Sequence, residues 1–300
     1  MEPAAEKVES TAGSAYKAIA FIALVQVLAL YITLVNAPVT QATGPITTPG
    51  GPSATGSVYN AVILVAFVMA ATLAAVWLAK RRKVKVFLAV VFVGTALALF
   101  VLTLLASIDI TATFMDEVAS FYLSIFISAA LVVVLGVATF RRKPAWLALV
   151  VTGALSAEVG SYFAATLPYF TALLIPVAFS LYDIYAVFKG PLRTLLTTVP
   201  AESLSAISSH IGDFSIGTGD TVFYAMIPAL VYYRLLTKGA SLSATLGSAI
   251  IAVVAVDIGV AVTFYFLGKA KLLPGLPIPM ALGLTALVLV FLFFGVLNVS

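Results

Sequence analysis

The sequence holds no cysteine and a single histidine, His210. The first absence excludes disulfides, thiolate metal sites and cysteine nucleophiles. The second leaves too few imidazoles for a histidine-built metal centre, and no His-Glu-x-x-His occurs. Charge is scarce as well: 9% of the 300 residues are Asp, Glu, Lys or Arg, where soluble domains carry about 25%. The net charge of +4 lies in short segments between apolar runs, so it bears on membrane orientation and not on nucleic acid. A secretory signal is not expected. Glu2, Glu6 and Glu9 precede the first apolar run, which is longer than a signal core.

What is present is apolar length. Hydrophobic residues make up 62% of the chain, and the mean hydropathy is +1.16. A spanning helix needs about 20 mostly apolar residues. The runs predict nine of them, at roughly 17–38, 57–79, 86–107, 119–140, 145–166, 168–188, 215–236, 241–268 and 275–297. The expected architecture is an all-α polytopic membrane protein with a single transmembrane domain over 1–300. Helices one to six fall within about 17–188, a cytoplasmic loop follows at 189–214, and helices seven to nine fall within about 215–297. Residues 39–56 read as a Pro/Gly/Thr loop without a basic residue, and no internal repeat divides the chain into related halves.

Orientation follows from where lysines and arginines sit. With the N-terminus cytoplasmic, the inside segments collect Lys7, Lys17, Lys80, Arg81, Arg82, Lys83, Lys85, Arg141, Arg142, Lys143, Lys189, Arg193, Lys269 and Lys271. Only Arg234 and Lys238 fall outside. Dropping or adding an early span would scramble this pattern. The C-terminus is therefore expected outside.

Eight acids occupy the N-terminal segment or expected loops: Glu2, Glu6, Glu9, Asp109, Asp116, Glu117, Glu202 and Asp213. Four fall inside expected spans: Glu158, Asp183, Asp220 and Asp257. A carboxylate at the centre of a spanning helix costs about 2.5–3.5 kcal/mol or more, so each is a functional candidate. Asp183 precedes Lys189 by a distance of about 9 Å, and Asp220 follows Asp213 by at most about 10 Å, at 1.5 Å per helical residue. Helices six and seven are antiparallel and joined on the cytoplasmic side, so the two carboxylates reach matching depth below one face.

Two close carboxylates in a low-dielectric site cannot both ionise easily and share a proton. The ionised partner can take a proton from water attacking a carbonyl carbon. The protonated one can hydrogen-bond the carbonyl oxygen and then protonate the leaving amine. Neither a covalent intermediate nor a cofactor is needed. Depth alone also fits satisfied buried polar groups or an ion path. Gly217 and Gly219 stand just before Asp220, where glycine permits unusual backbone angles or close approach of another backbone. Pro274-Gly275-Leu276-Pro277 is expected to keep the start of helix nine irregular, with free backbone groups. A plain helix-start proline fits that spacing equally well.

These residues carry a resemblance. Tyr182-Asp183, Gly217-Thr218-Gly219-Asp220 and Pro274-Gly275-Leu276-Pro277, in that order on spans six, seven and nine, resemble presenilins and signal peptide peptidases, the Gly-x-Gly-Asp intramembrane aspartyl proteases. The run at 182–193 and the orientation look closer to presenilin, since signal peptide peptidases are inverted. The short loop at 189–214 is similar to that of archaeal presenilin homologues. The resemblance implies an aspartic endopeptidase of the cell membrane, with Asp183 and Asp220 as the catalytic pair and transmembrane helices as substrates. It implies that Tyr182, Gly217, Thr218, Gly219, Pro274, Gly275, Leu276 and Pro277 shape the active-site motif and substrate binding. The family's Pro-Ala-Leu reads Pro-Gly-Leu here, and obligatory self-cleavage of the short loop is not expected. Nothing in the sequence requires an accessory subunit, and homo-oligomerisation is compatible with it. No metal or cofactor is expected.

The remaining candidates read differently. Asp257 in mid-helix eight reads as a structural polar contact, Glu158 as a group facing external water or a helix partner, and His210 as a loop residue. His210 lies outside every span, which argues against a rhomboid-type serine protease. The rival reading is a transporter or ion leak in which Asp183, Asp220 and Asp257 relay ions or protons.

Overall fold

The structure is a computed structural model that describes residues 2–43, 48–81, 83–140, 145–190, 208–212, 214–267 and 273–296. Nine helices occur among the described residues: α1 (Glu2–Thr43), α2 (Ala54–Lys80), α3 (Val84–Ala112), α4 (Glu117–Phe140), α5 (Ala145–Thr166), α6 (Tyr169–Phe188), α7 (Thr218–Thr237), α8 (Leu242–Leu267) and α9 (Pro277–Phe293). Two short strands, β1 (Ser208–Ile211) and β2 (Phe214–Gly217), pair antiparallel just before α7.

Local chemistry sets several boundaries. Asp116 Oδ1 accepts from the Val118 and Ala119 N–H groups at 3.1 and 3.0 Å, capping α4. Pro168 precedes α6, and Pro277 occupies the first turn of α9, where a missing N–H costs nothing. Pro38, Pro176 and Pro228 lie inside α1, α6 and α7, and helices in a bilayer tolerate this when neighbours cover the freed carbonyls.

Seven helices, α1 to α6 and α8, are long and apolar enough to cross a membrane. The other two stand where spans seven and nine are expected. α9 is apolar but has 17 residues. α7 carries Asp220 and Arg234, and it is the most deeply enclosed element: Ala225, Met226, Ile227, Ala229, Leu230, Val231, Tyr232 and Leu235 are wholly buried. It packs against α1, α5, α8 and α9. Gly160 on α5 allows that approach, since a Cβ there would lie 2.9 Å from the Val222 carbonyl oxygen. Outer helices turn Phe67, Leu97, Phe126 and Phe293 outward, as a lipid-facing surface requires. A hydroxyl cluster of Thr111, Ser120 and Ser124 joins α3 to α4.

The described residues are all-helical apart from one short hairpin, and two placements need correction. The hairpin turns through Gly212 at φ 57°. It closes because Ile211, Phe214 and Ile216 are buried and Phe214 stacks on Phe264 of α8 with ring centroids 4.5 Å apart. Residues 215–217 therefore belong to β2 and not to helix seven. Asp109 stands in the last turn of α3 and not in a loop. Most of the expected 189–214 loop lies outside the described residues, as do Asp213, Lys269 and Lys271.

Candidate active site

Three helix ends converge. Asp183 lies near the C-terminal end of α6, Asp220 in the first turn of α7, and Pro274-Gly275-Leu276 immediately before α9. Residues 273–276 are non-helical, so their backbone groups need partners from elsewhere. The Leu276 N–H donates to Asp183 Oδ2 at 3.0 Å. The Tyr224 hydroxyl donates to the Gly275 carbonyl at 2.9 Å. Asp183 and Tyr224 thus satisfy opposite sides of one unwound segment.

Asp220 meets the same segment. A Cβ built on Gly275 would lie 2.6 Å from Asp220 Oδ2, and one on Gly217 would lie 3.2 Å from the same atom. The two aspartates are close enough to feel each other's charge, and both are half-buried. Asp220 is the third helical residue of α7, the position from which an acid reaches back toward the backbone N–H before the first turn, and it faces the Gly217 N–H. Two carboxyls that feel each other's charge can serve as general acid and general base toward one water molecule.

The motif glycines act by space rather than by unusual angles. Gly217 has φ −66° and ψ 136°, ordinary extended backbone. Its missing side chain leaves room for the Asp220 carboxylate. Nothing lies within 4 Å of a Cβ on Gly219, which is exposed. Thr218 is buried, and its carbonyl accepts from Ser156 Oγ of α5 at 3.2 Å. Tyr182 does not join the pair: its hydroxyl donates to Thr72 Oγ1 of α2 at 3.1 Å. Leu276 and Pro274 are buried, and Pro277 begins α9. The helix-start proline and the irregular segment therefore coexist.

Two residues not singled out from sequence complete the surroundings. Tyr224 sits one turn beyond Asp220 on the same helix face, a spacing that could have flagged it. Gln26, wholly buried on α1, donates from Nε2 to the Tyr224 carbonyl at 3.4 Å and also reaches Asp257 of α8. Asp257 is thus a polar contact to α1. Glu158 accepts from Thr103 of α3 at 2.8 Å, so it faces a helix partner and not open water. His210 falls in β1.

Paired carboxylates over an unwound backbone segment, enclosed by helices of spanning length and apolarity, define a multi-pass membrane protein with a two-carboxylate centre. A sequence model of the presenilin family matches residues 18–207, and the chain belongs to that family. The fold agrees. One solved structure of a presenilin family intramembrane aspartate protease, in space group C222, superposes with a TM-score of 0.63 at 18% identity, covering 93% of this chain and 99% of that one. Another, in space group P2, gives 0.59 at 16% identity, covering 91% and 96%. The sequence match ends before Gly217, so it includes Asp183 but neither Asp220 nor the proline segment.

Proposed function

We propose that this protein is an intramembrane aspartyl endopeptidase that hydrolyses peptide bonds within transmembrane helices, with Asp183 and Asp220 as its catalytic pair. One observation carries the reading. Asp183 and Asp220, from different helices, meet on adjacent residues of a non-helical segment, Asp183 on Leu276 and Asp220 on Gly275. Family membership and the fold of the two solved proteases support the same chemistry.

In this mechanism one aspartate is ionised and accepts a proton from the attacking water. The other donates a hydrogen bond to the scissile carbonyl and then protonates the departing amine. The proton is held by the pair as a unit. The substrate helix unwinds locally to lie against the Gly217–Asp220 and Pro274–Leu276 backbone, where Gly219 leaves open space and the bare α-carbons of Gly217 and Gly275 accommodate the Asp220 carboxylate. Tyr224 positions that backbone through the Gly275 carbonyl. The protein is read as nine-spanning, N-terminus cytoplasmic and C-terminus external, in the cell membrane, acting without an obligatory subunit.

The test is product formation from a single-span model peptide by the purified protein in detergent or liposomes. Cleavage by the unaltered protein and none by a well-folded Asp220→Asn variant is the expected result. The amide keeps the shape but cannot exchange the proton. Full cleavage by folded Asp183→Ala or Asp220→Asn protein would sink the mechanism.

A further inference from the structure

We infer that Glu158 is the anionic ligand of a monovalent-cation site, built between α1, α3 and α5 and separate from the aspartate pair. Glu158 is only 7% exposed. Thr103 Oγ1 donates to its Oε1 at 2.8 Å, while no donor among the described residues reaches the buried Oε2. Beside it lies a cavity of about 40 Å³, and no lysine or arginine lines it. That volume exceeds the roughly 10–15 Å³ that one water-sized occupant requires.

Apolar side chains make up about half of the lining, and its polar part is rich in acceptor oxygens. Asn36 Oδ1 is a second buried oxygen without a donor among the described residues. Thr33 Oγ1 donates to the Ala29 carbonyl at 2.8 Å, so in its 2.7 Å contact with Ser161 Oγ the serine is the donor. Both hydroxyl protons are then committed, and what Thr33 and Ser161 turn to the cavity is lone pairs. Four residues from α1 and α5, Glu158, Asn36, Thr33 and Ser161, thus line one cavity, each with an oxygen that has lone pairs to offer.

Charge selects the occupant. A water molecule supplies two donors but leaves a carboxylate uncompensated in a low-dielectric interior, which is costly. One positive charge balances the single carboxylate. A divalent ion would leave excess charge and wants six or more oxygen ligands, or a rigid octahedron. An all-oxygen set accepts hard cations in general, so it is the single carboxylate's charge that selects a monovalent ion such as sodium, with water completing its shell. The ion would tie α1 to α5, two helices that enclose α7. Ser156 and Gly160 of α5 face α7, while Glu158 and Ser161 face α3 and α1. The site therefore acts on the bundle and not on the reacting atoms.

The experiment is thermal unfolding of the purified full chain in detergent, titrating sodium chloride against N-methylglucamine chloride at constant pH and ionic strength. Sodium should raise the midpoint saturably, by about 5 °C at the plateau. The rise should vanish in Glu158→Gln and shrink in Asn36→Ala, and should persist in Asp257→Asn, an intramembrane acid outside the cavity. Should Glu158→Gln fail to fold, the Asn36→Ala titration and ²³Na line broadening with the unaltered protein decide the matter. An equal rise in Glu158→Gln, or no difference between sodium and N-methylglucamine in the unaltered protein, overturns the proposal. In the second case Glu158 carries a proton and the cavity holds water.

Discussion

Asp183 and Asp220 are held differently, and that asymmetry matters for how two like groups divide their work. Asp183 accepts from the Leu276 N–H, whereas Asp220 is pressed between the bare α-carbons of Gly217 and Gly275. At low pH both carboxyls carry protons and neither can accept one from water. At high pH both are ionised and neither can donate. The cleavage rate should pass through a maximum between these limits, and a rate flat from acid to strongly alkaline pH would count against a shared-proton pair. In the proposed mechanism the two act as a unit, so Asp183→Ala, Asp220→Ala and the double variant should lose nearly the same activity, while Asp257→Asn keeps measurable cleavage. Gly275→Ala sets the methyl group 2.6 Å from Asp220 Oδ2. The carboxylate is the nearest group and must shift, so kcat should fall about tenfold or more with the unfolding temperature little changed. An unchanged kcat would show that the carboxylate moves without consequence.

At the scale of the element, the hairpin and α7 form one unit. β2 runs directly into α7 at Gly217, so the anchoring of Ile211, Phe214 and Ile216 fixes where the helix, and with it Asp220, begins. This part was hardest to read from sequence. Four-residue strands give little periodicity, and a loop between spans is where strands are least expected. Tyr224 and Gln26 escaped for another reason: their importance lies in what they touch on other helices, and an apolar run does not disclose its neighbours. Asp183, Asp220 and the 274–277 segment were legible because charge and proline are costly in a bilayer and stand out against apolar runs. The α5–α7 contact at Gly160 was not legible, since glycines are common packing residues in membrane helices. Gly160→Val drives a side chain into the Val222 carbonyl and Ala225, so it should destabilise the fold by about 1–3 kcal/mol. A lowered unfolding midpoint in detergent checks this, with Gly219→Ala, where a methyl meets open space, as the silent comparison for stability.

Across the whole molecule, the apolar runs predict where the nine described helices fall, although only seven of them are long and apolar enough to span by those measures. They do not show which helix is central. α7, which is not among the seven helices apolar enough to span, is the most enclosed, since other helices surround it. The same packing accounts for an exception to the charge rule. Arg234, expected on the external side, donates from Nη2 to the Leu167 carbonyl just past the end of α5, at 2.8 Å, and lies between the rings of Tyr169 and Tyr233. It is a helix-end partner and carries little topological weight. From the other basic residues the α6–α7 connection and the segment before α9 are expected on one face, and the proposed mechanism depends on that, because Gly275 and Leu276 must approach Asp220 and Asp183 from the same side. Single cysteines settle it cleanly in a chain that has none of its own. In sealed vesicles of known orientation, Ser205→Cys and Lys271→Cys should react with a membrane-impermeant maleimide from the cytoplasmic side. Ser53→Cys and Ser241→Cys, at exposed positions beside the opposite helix ends, should react only from the other. Labelling of Ser205→Cys and Lys271→Cys from opposite faces would break the nine-span arrangement, and with it the route by which the proline segment reaches the aspartates.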